Sequence, residues 1–317
     1  MKQINLGATT IKIPAMALGI MRMNSKTPEQ AARAIEAAYD AGVNFIDSAD
    51  IYGNGDSEKI FSQALKLTNI KRENLFIQSK GGIILDPDHK IGDYDFCGRY
   101  EFTRDHILTA VDGILDRMQI DYLDSFVLHR PDPLMSLDGV KEAFDILQAT
   151  GKVRFFGVSN FNSAQFKMLQ ASLTQHLMFD QLQFGLMHTG IIDGGLHVNM
   201  VDEDSIDHDG GILEFCRQNQ ITIQAWSPFQ YGNFAGTFIN NPKFPKLNKM
   251  LDKLADKYQV GKNAIAAAWI LKHPANMQMI MGTMNPEHIM DSVAGGEIEL
   301  TDQEWYNLYF AAGHILP

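Results

Sequence analysis

Short apolar runs alternate with amphipathic helical patterns along this 317-residue chain, and this alternation constrains its fold more than any other feature. Eight runs have the length and composition of buried strands, and each precedes a segment with helical spacing of apolar residues. The predicted strands are 15–19, 43–47, 75–79, 124–129, 153–158, 178–184, 221–226 and 279–281. Such alternation implies an α/β fold with parallel strands and outer helices, and eight units favour a closed (β/α)8 TIM barrel over an open sheet.

Several predicted helices carry terminal signals. Thr27, Pro28 and Gln30 form a capping box with proline at the first helical position, and Gly42 stops that helix. A second capping box begins at Thr301. The other predicted helices are 56–67, 103–118, 140–147, 164–171, 211–219, 247–258, 263–273 and 286–293, and the last is 301–312.

The organisation outside the repeat is simple. Segment 2–13 predicts a short N-terminal hairpin beneath the barrel, and no linker divides the chain, so residues 1–317 are expected to form one domain. Three connections are longer than the rest: 81–102, 185–210 and 229–246. Each follows a strand, so we expect long loops at the C-terminal mouth, where barrel enzymes build their sites.

The charge balance argues against nucleic acid as a partner. The chain has 27 basic and 38 acidic residues, a net charge of −11, and no basic run. Binding to a phosphate backbone requires a basic face. No apolar stretch approaches the roughly 20 residues of a membrane span, and the first residues lack the apolar core of a signal peptide. A cytoplasmic protein that binds no membrane is therefore expected.

Neither the cysteines nor the histidines predict a metal site. Cys97 and Cys216 are too few for a disulfide framework or a ligand cluster. His188, His197 and His208 lie among acidic residues in the 185–210 connection, which raises the alternative of a metal centre. Their spacing places no two of them as ligands on a regular element, so a solvated acidic loop is favoured and no metal is expected.

Four polar residues lie where consecutive strands end. Asp47 ends the second strand, Tyr52 follows in the next loop, and Lys80 and His129 end the third and fourth strands. A barrel brings these residues together. A free phenol has a pKa of about 10, and an ammonium beside it lowers that value, while a carboxylate can neutralise the buried ammonium. Such a set suits a carbonyl that gains a hydride and needs a proton at its oxygen.

The segments GVNFIDSADIYG, IQSK, LHRPDP, GVSNF, QAWSP and MGTMNPEHI resemble, in this order, the signature blocks of the aldo-keto reductase family. They extend from the second strand to the helices near the end of the chain. The run HRPDPLM is similar to the YdhF-like branch of bacterial oxidoreductases. The resemblance implies an oxidoreductase that moves a hydride reversibly between NADP(H) and a small aldehyde or ketone, without a metal.

The resemblance also implies individual roles. Tyr52 would be the general acid, Lys80 would tune its pKa, Asp47 would partner Lys80, and His129 would orient the carbonyl. Ser159, Asn160 and Gln181 would bind the nicotinamide carboxamide, and the nicotinamide would stack on Trp226. The full set of coenzyme residues implied is Gly19, Met21, Ser159, Asn160, Gln181, Trp226, Ser227, Phe229, Gly282, Thr283 and His288.

The chain departs from the family pattern at the adenosine end. Gly282 and Thr283 stand where many relatives have Lys followed by Ser or Thr, and His288 stands where they have Arg. Met21 likewise replaces a common Trp. The loss of two fixed cations predicts a weaker preference for NADP(H), with NAD(H) as a second coenzyme. Because an imidazole gains its charge near neutrality, the preference is expected to increase toward pH 6.

Several alternatives remain open at this level. Asp47 and Lys80 can be read as a structural ion pair, Trp226 as a core residue, and Arg22 and Arg130 as surface charges. The function can be read as that of a catalytically weak regulatory or coenzyme-sensing protein on the same fold. It can also be read as that of a lyase with Lys80 as a Schiff-base amine. The physiological substrate and the oligomeric state are not predicted.

Overall fold

The computed structural model describes residues 1–91, 94–232 and 235–317. Its centre is a closed barrel of eight parallel strands. In order around the barrel they are β10 (Leu177–Gln183), β11 (Thr222–Trp226), β12 (Met277–Met281), β3 (Met16–Gly19), β4 (Phe45–Asp47), β5 (Phe76–Gly81), β8 (Leu123–Leu128) and β9 (Val153–Ser159). The predicted (β/α)8 TIM barrel is confirmed.

The predicted N-terminal hairpin is also confirmed and closes the floor of the barrel. Strands β1 (Gln3–Asn5) and β2 (Lys12–Pro14) pair antiparallel. Leu6 and Ile13 pack into a buried cluster with Phe45 and Phe179 from the barrel strands. The amide of Gln278 donates to the Pro14 carbonyl at 2.8 Å, so the hairpin also satisfies a polar group inside the barrel.

Helices surround the barrel, and their caps follow the sequence signals. The helices are α1 (Pro28–Asp40), α2 (Asp56–Leu65), α3 (Arg104–Met118), α4 (Leu137–Ala149), α5 (Ser163–Ser172), α6 (Gly190–Leu196), α7 (Ile212–Asn219), α8 (Pro245–Tyr258), α9 (Lys262–Lys272), α10 (Pro286–Ala294) and α11 (Asp302–Ala312). Both predicted capping boxes form: Thr27 with Gln30, and Thr301 with Glu304. The outer faces of the strands and the inner faces of these helices form the main core.

Two of the three long connections contain regular structure that the sequence pattern did not predict. The 81–102 connection holds an antiparallel hairpin, β6 (Ile83–Ile91) and β7 (Tyr94–Tyr100). Its register shifts twice, so no strict alternation of apolar residues marks it. The 185–210 connection contains α6, a helix too short for a clear periodic signal. Since each follows a barrel strand, the long connections lie at the mouth as predicted.

Several element limits differ from prediction by a few residues. The second barrel strand begins at Phe45 rather than at residue 43, and α2 ends at Leu65 rather than at residue 67. Strand and helix ends lack the periodic contacts that make the interiors predictable. Among the described residues, no helix has the length and apolar character that a membrane span requires.

Candidate active site

A buried ion pair joins β4 and β5 at the mouth. The Lys80 Nζ lies 2.7 and 2.8 Å from the two carboxylate oxygens of Asp47 and donates to the Ser48 carbonyl at 2.7 Å. Lys80 is 0% exposed and Asp47 2%. All three donors of the ammonium therefore have an acceptor, which is the condition for a stable buried charge.

The electrostatics of Lys80 argue against the lyase alternative. Burial acts to lower the pKa of Lys80, but the Asp47 carboxylate and the Tyr52 phenol oppose it and hold that pKa above its ordinary value. A Schiff-base amine must lose its proton and have a free lone pair to attack a carbonyl. A fully hydrogen-bonded ammonium has neither property.

Tyr52 stands over this ion pair. It begins a short 3-10 segment, Tyr52–Gly55, in which Asn54 adopts the left-handed conformation with φ 53°. The Lys80 Nζ lies 5.2 Å from the centroid of the Tyr52 ring. We expected Lys80 to lower the pKa of Tyr52. Burial instead raises that pKa above its ordinary value, and the opposing effect of Lys80 is smaller. Tyr52 therefore keeps its proton at neutral pH.

His129 follows β8 and faces the phenol. Its ring lies edge-on to the Tyr52 ring, with centroids 6.2 Å apart. Burial, assisted by the positive charges of Lys80 and Arg130, lowers the pKa of His129 well below its ordinary value. Its Nδ1 is buried without a hydrogen-bond partner among the described residues. His129 is thus a neutral imidazole that can form a hydrogen bond but has no proton to give as an acid at pH 7.

A network of buried glutamines supports Asp47 from below, and sequence reasoning missed it. The Nε2 atoms of Gln78 and Gln181 donate to Asp47 Oδ1 at 2.8 and 3.0 Å. Both also donate to the Oε1 of Gln224, and the Nε2 of Gln224 donates in turn to the Oε1 of Gln278. A glutamine inside each of four apolar strands was the available signal. The network fixes the carboxylate to which Lys80 is bound.

Two further carboxyl groups, those of Glu58 and Asp50, lie near Lys80, and they were not identified from the sequence. Glu58 of α2 accepts hydrogen bonds from Ser79 Oγ at 3.1 Å and from Arg117 Nε at 2.6 Å. Burial and then the charge of Glu58 raise the pKa of Asp50 to about 7, and its Oδ1 has no partner among the described residues. The charge of Arg117 acts in the opposite direction on the pKa of Asp50. The charge of Asp50 contributes in turn to raising the pKa of Tyr52.

The structure brings together the four side chains predicted to bind the nicotinamide. Ser159 Oγ donates to the Gln181 carbonyl at 3.0 Å, and Asn160 Nδ2 donates to Ser159 Oγ at 2.7 Å. Trp226 Nε1 donates to Asn160 Oδ1 at 3.2 Å, so the half-buried indole is held at the mouth by its edge. Asn160 has φ 60°, a conformation that costs energy outside glycine and often occurs at functional sites.

The remaining predicted coenzyme residues lie on the next segments around the mouth. Ser227 and Phe229 follow β11, and Ser227 has φ 48°. Gly282 and Thr283 follow β12, and His288 lies in α10.

Gly19 ends β3 and Met21 follows it. A Cβ at Gly19 would lie 2.8 Å from Ile280 Cγ2, which gives this glycine a packing role between strands as well.

The acidic 185–210 connection forms hydrogen bonds with one of its own histidines and with a histidine near the end of the chain. His197 Nδ1 lies 3.1 Å from Asp202 Oδ1, and His314 Nε2 lies 2.7 Å from the Leu186 carbonyl oxygen. In the part of the chain that the structure describes, no three His, Cys, Asp or Glu side chains are grouped as metal ligands.

A comparison with protein families decides the identity of the barrel. The family model described as "Aldo/keto reductase family" matches residues 15–309. The chain belongs to the aldo/keto reductase family. It is accordingly an oxidoreductase acting on carbonyl compounds, and the resemblance inferred from its sequence motifs is confirmed.

Curated relatives and a solved structure agree with this family. Oxidoreductase YdhF of Escherichia coli (strain K12) is 33% identical over 285 residues, covering 89% of this chain and 88% of that protein. The uncharacterised oxidoreductase YcsN of Bacillus subtilis (strain 168) is 30% identical over 325 residues, covering 100% of both. An aldo-keto reductase of Klebsiella pneumoniae, solved in complex with NADPH, superposes with a TM-score of 0.74 at 23% identity, covering 97% of this chain and 94% of that one. This last likeness concerns the fold.

Proposed function

We propose that the chain transfers a hydride reversibly between NADP(H) and a small aldehyde or ketone, with Tyr52 as the proton donor in reduction. The observation that carries this assignment is the convergence of Tyr52, Lys80 and His129 at the mouth. The phenol holds its proton at neutral pH, so it can deliver it to the oxygen of a reduced carbonyl. The adjacent ammonium stabilises the phenolate that proton transfer leaves.

Asp47 positions Lys80, and His129 positions the substrate carbonyl. The Asp47 carboxylate keeps Lys80 charged and directed toward the phenol, and the glutamine network keeps Asp47 in place. His129 is neutral, so a ring N–H can donate to the substrate oxygen without competing with Tyr52 as an acid. In alcohol oxidation the phenolate takes the proton back. No metal takes part in these steps.

The coenzyme, when bound, supplies or accepts the hydride. The amides and hydroxyl of Ser159, Asn160 and Gln181 have the donor and acceptor chemistry of a carboxamide partner, and Trp226 offers a flat face. Gln181 Nε2 is already bound to Asp47 and Gln224, so its Oε1 is the atom assigned to the carboxamide. The left-handed conformations of Asn160 and Ser227 support a binding role for both segments.

The adenosine end contains a cation that replaces part of what the family pattern lacks. Arg22, read from the sequence as a surface charge, donates from Nη1 to the Gly282 carbonyl at 2.9 Å. A Cβ at residue 282 would lie 2.8 Å from that nitrogen, so a glycine there makes room for the guanidinium. We therefore place Arg22 beside Gly282, Thr283 and His288 among the groups available to the 2′-phosphate of the coenzyme.

The first test is coenzyme binding and consumption. With a panel of aldehydes and ketones, we expect NADPH to be consumed, and calorimetry should give a lower Kd for NADPH than for NADH. A charge-assisted hydrogen bond to the 2′-phosphate corresponds to a ratio of the Kd for NADH to the Kd for NADPH of roughly 10 to 100. Arg22→Gln should reduce this ratio and leave the Kd for NADH nearly unchanged.

Arg33→Gln is the matched control, because Arg33 is an exposed cation on α1 away from the mouth. It should retain the parent ratio. Equal or tighter binding of NADH by the parent would reject the NADP(H) assignment. Absence of turnover with every carbonyl and both coenzymes would favour the coenzyme-sensing alternative instead.

A second test concerns Trp226. The other two tryptophans, Trp269 and Trp305, stack on each other outside the barrel with centroids 4.8 Å apart. NADPH should therefore quench only the share of fluorescence that comes from Trp226. Trp226→Tyr should keep most activity, while Trp226→Ala should raise the Kd for NADPH about tenfold, taking aromatic stacking at its upper value.

The fluorescence arm has an internal control. Trp269→Phe removes a remote emitter and should leave the absolute quench unchanged. If Trp226→Ala binds NADPH as tightly as the parent and shows the same quench, the indole is a packing residue and does not contact the nicotinamide.

A further inference from the structure

Arg130 is a cation at the mouth that the mechanism above does not use. It directly follows His129 after β8 and is half-buried. Its guanidinium carbon lies 5.6 Å from the centroid of the Trp226 ring. The titratable groups that interact with its charge are Tyr100 first, then Cys97 and Tyr52. Arg130 therefore lies between the β6–β7 hairpin and the Tyr52 phenol. Arg130 is thus part of the wall of the substrate entrance rather than a surface charge.

The guanidinium of Arg130 has no anion to bind within the described residues. Five other arginines are each held by a carboxylate: Arg72 and Arg154 by Asp124, Arg99 by Glu101, Arg104 by Asp105, and Arg117 by Glu58. No ion pair or hydrogen bond joins the Arg130 side chain to another described residue. Burial lowers the pKa of Arg130. The pKa values of Tyr100, Cys97 and Tyr52 are each raised above their ordinary values, so these groups supply no negative charge at neutral pH. A partly desolvated cation whose donors find no acceptor among the described residues is costly unless a ligand supplies one.

The strand order separates Arg130 from the phosphate end of the proposed coenzyme site. Strands β8 and β12 are four positions apart in the closed barrel of eight, so they lie on opposite sides. Arg130 follows β8, whereas Gly282 and Thr283 follow β12. A coenzyme phosphate beside Gly282 is therefore across the mouth from Arg130. The neighbours of Arg130 are instead Tyr52 and His129, the two residues assigned to the substrate carbonyl.

We propose that Arg130 binds a carboxylate carried by the carbonyl substrate, so that the preferred substrates are oxo acids and carboxylated aldehydes. The inference rests on the proposed function, since it places the carbonyl at Tyr52 and His129. The planar guanidinium matches a carboxylate with two parallel hydrogen bonds, which orients the substrate as well as binding it. The Trp226 ring, with its centroid 5.6 Å from the guanidinium carbon, adds a cation–π interaction that stabilises the charge of Arg130.

The test compares substrates that differ only in charge. The pair is 4-carboxybenzaldehyde and its methyl ester, with succinic semialdehyde and butanal as an aliphatic pair. The parent should show a higher kcat/KM for each acid, mainly through a lower KM. Arg130→Gln should lower kcat/KM for the acids about 10- to 100-fold and change it less than threefold for the neutral partners. Arg130→Lys keeps the charge but cannot form the two parallel hydrogen bonds of a guanidinium, so its loss of kcat/KM for the acids should be intermediate.

Arg99→Gln is the matched control, because Arg99 lies on β7, beside Tyr100, and is exposed and already paired with Glu101. It should not change the ratio of acid to ester. The Kd values for NADPH of Arg130→Gln and the parent should agree within about twofold. An equal loss for acid and ester, or a large loss of NADPH affinity, would show that Arg130 serves the coenzyme and would overturn the proposal. A gain for phosphorylated rather than carboxylated aldehydes would overturn the choice of carboxylate.

Failure of the inference can be told from failure of the proposed function. If the parent reduces no carbonyl, the function fails. Calorimetric titration of the NADPH-loaded protein with 4-methylbenzoate then still tests Arg130. Binding by the parent that Arg130→Gln weakens at least tenfold supports the carboxylate site, and equal binding by both rejects it. If carbonyls are reduced without preference for acids, the function stands and the inference fails.

Discussion

Tyr52→Phe is expected to lower kcat for carbonyl reduction by about 10² to 10⁴, the range that general acid catalysis contributes. The substitution removes one hydroxyl and keeps the ring that lies against His129. Folding and the Kd for NADPH should therefore be nearly unchanged. Single-turnover reduction, followed by NADPH absorbance, separates this loss from any change in binding. Because burial raises the pKa of Tyr52, the parent should lose activity only at alkaline pH, as the phenol gives up its proton.

The matched control for this experiment is Tyr122→Phe. Tyr122 lies at the opposite end of the barrel, where Arg72 and Arg154 cover its ring. Loss of its hydroxyl should leave kcat within about twofold of the parent. A Tyr52→Phe enzyme with near-parent turnover would show that the proton comes from another donor, and the assignment of Tyr52 would fail.

The elements that the sequence predicted correctly are those specified by local contacts. A capping box such as Thr27 with Gln30 involves residues three apart, so its hydrogen bonds can be anticipated from the chain alone. The interiors of the strands were predicted for a similar reason, since a short apolar run between two helices has few structures available to it other than a buried strand. Asp47, Lys80 and His129 could be placed at one mouth because parallel strands point their carboxyl ends the same way.

What the sequence could not predict depends on which strands face each other. Gln78 and Gln224 are 146 positions apart, yet their amides bond inside the barrel. The hairpin after β5 was missed because its register shifts remove the alternation that marks a strand. The lowering effect of Lys80 on the pKa of Tyr52 was predicted, but the larger opposing effect of burial was not, because burial depends on the tertiary fold.

The ion pair of Asp47 and Lys80 gives the second large effect. Asp47→Asn and Lys80→Met each leave one buried group without its charged partner, and each is expected to cost about 3–5 kcal/mol in the free energy of unfolding, measured by urea titration. The double variant removes both charges, so its loss should be smaller than the sum of the two single losses. Reduction should fall at least about 10²-fold in all three, because none retains the charged pair that stabilises the Tyr52 phenolate.

The double variant therefore separates a catalytic pair from a merely structural one. If the pair only supports the fold, removing both charges should recover activity together with stability. If Lys80 acts on Tyr52, stability should recover in part while kcat stays low. Lys152→Met is the control for a solvent-exposed salt bridge. Lys152 Nζ lies 2.5 Å from Asp112 Oδ1, but the two side chains are 40% and 55% exposed. The loss in the free energy of unfolding should therefore not exceed about 1 kcal/mol. Parent-like turnover in the double variant would leave Asp47 and Lys80 as a structural ion pair, and the proton transfer at Tyr52 would need another explanation.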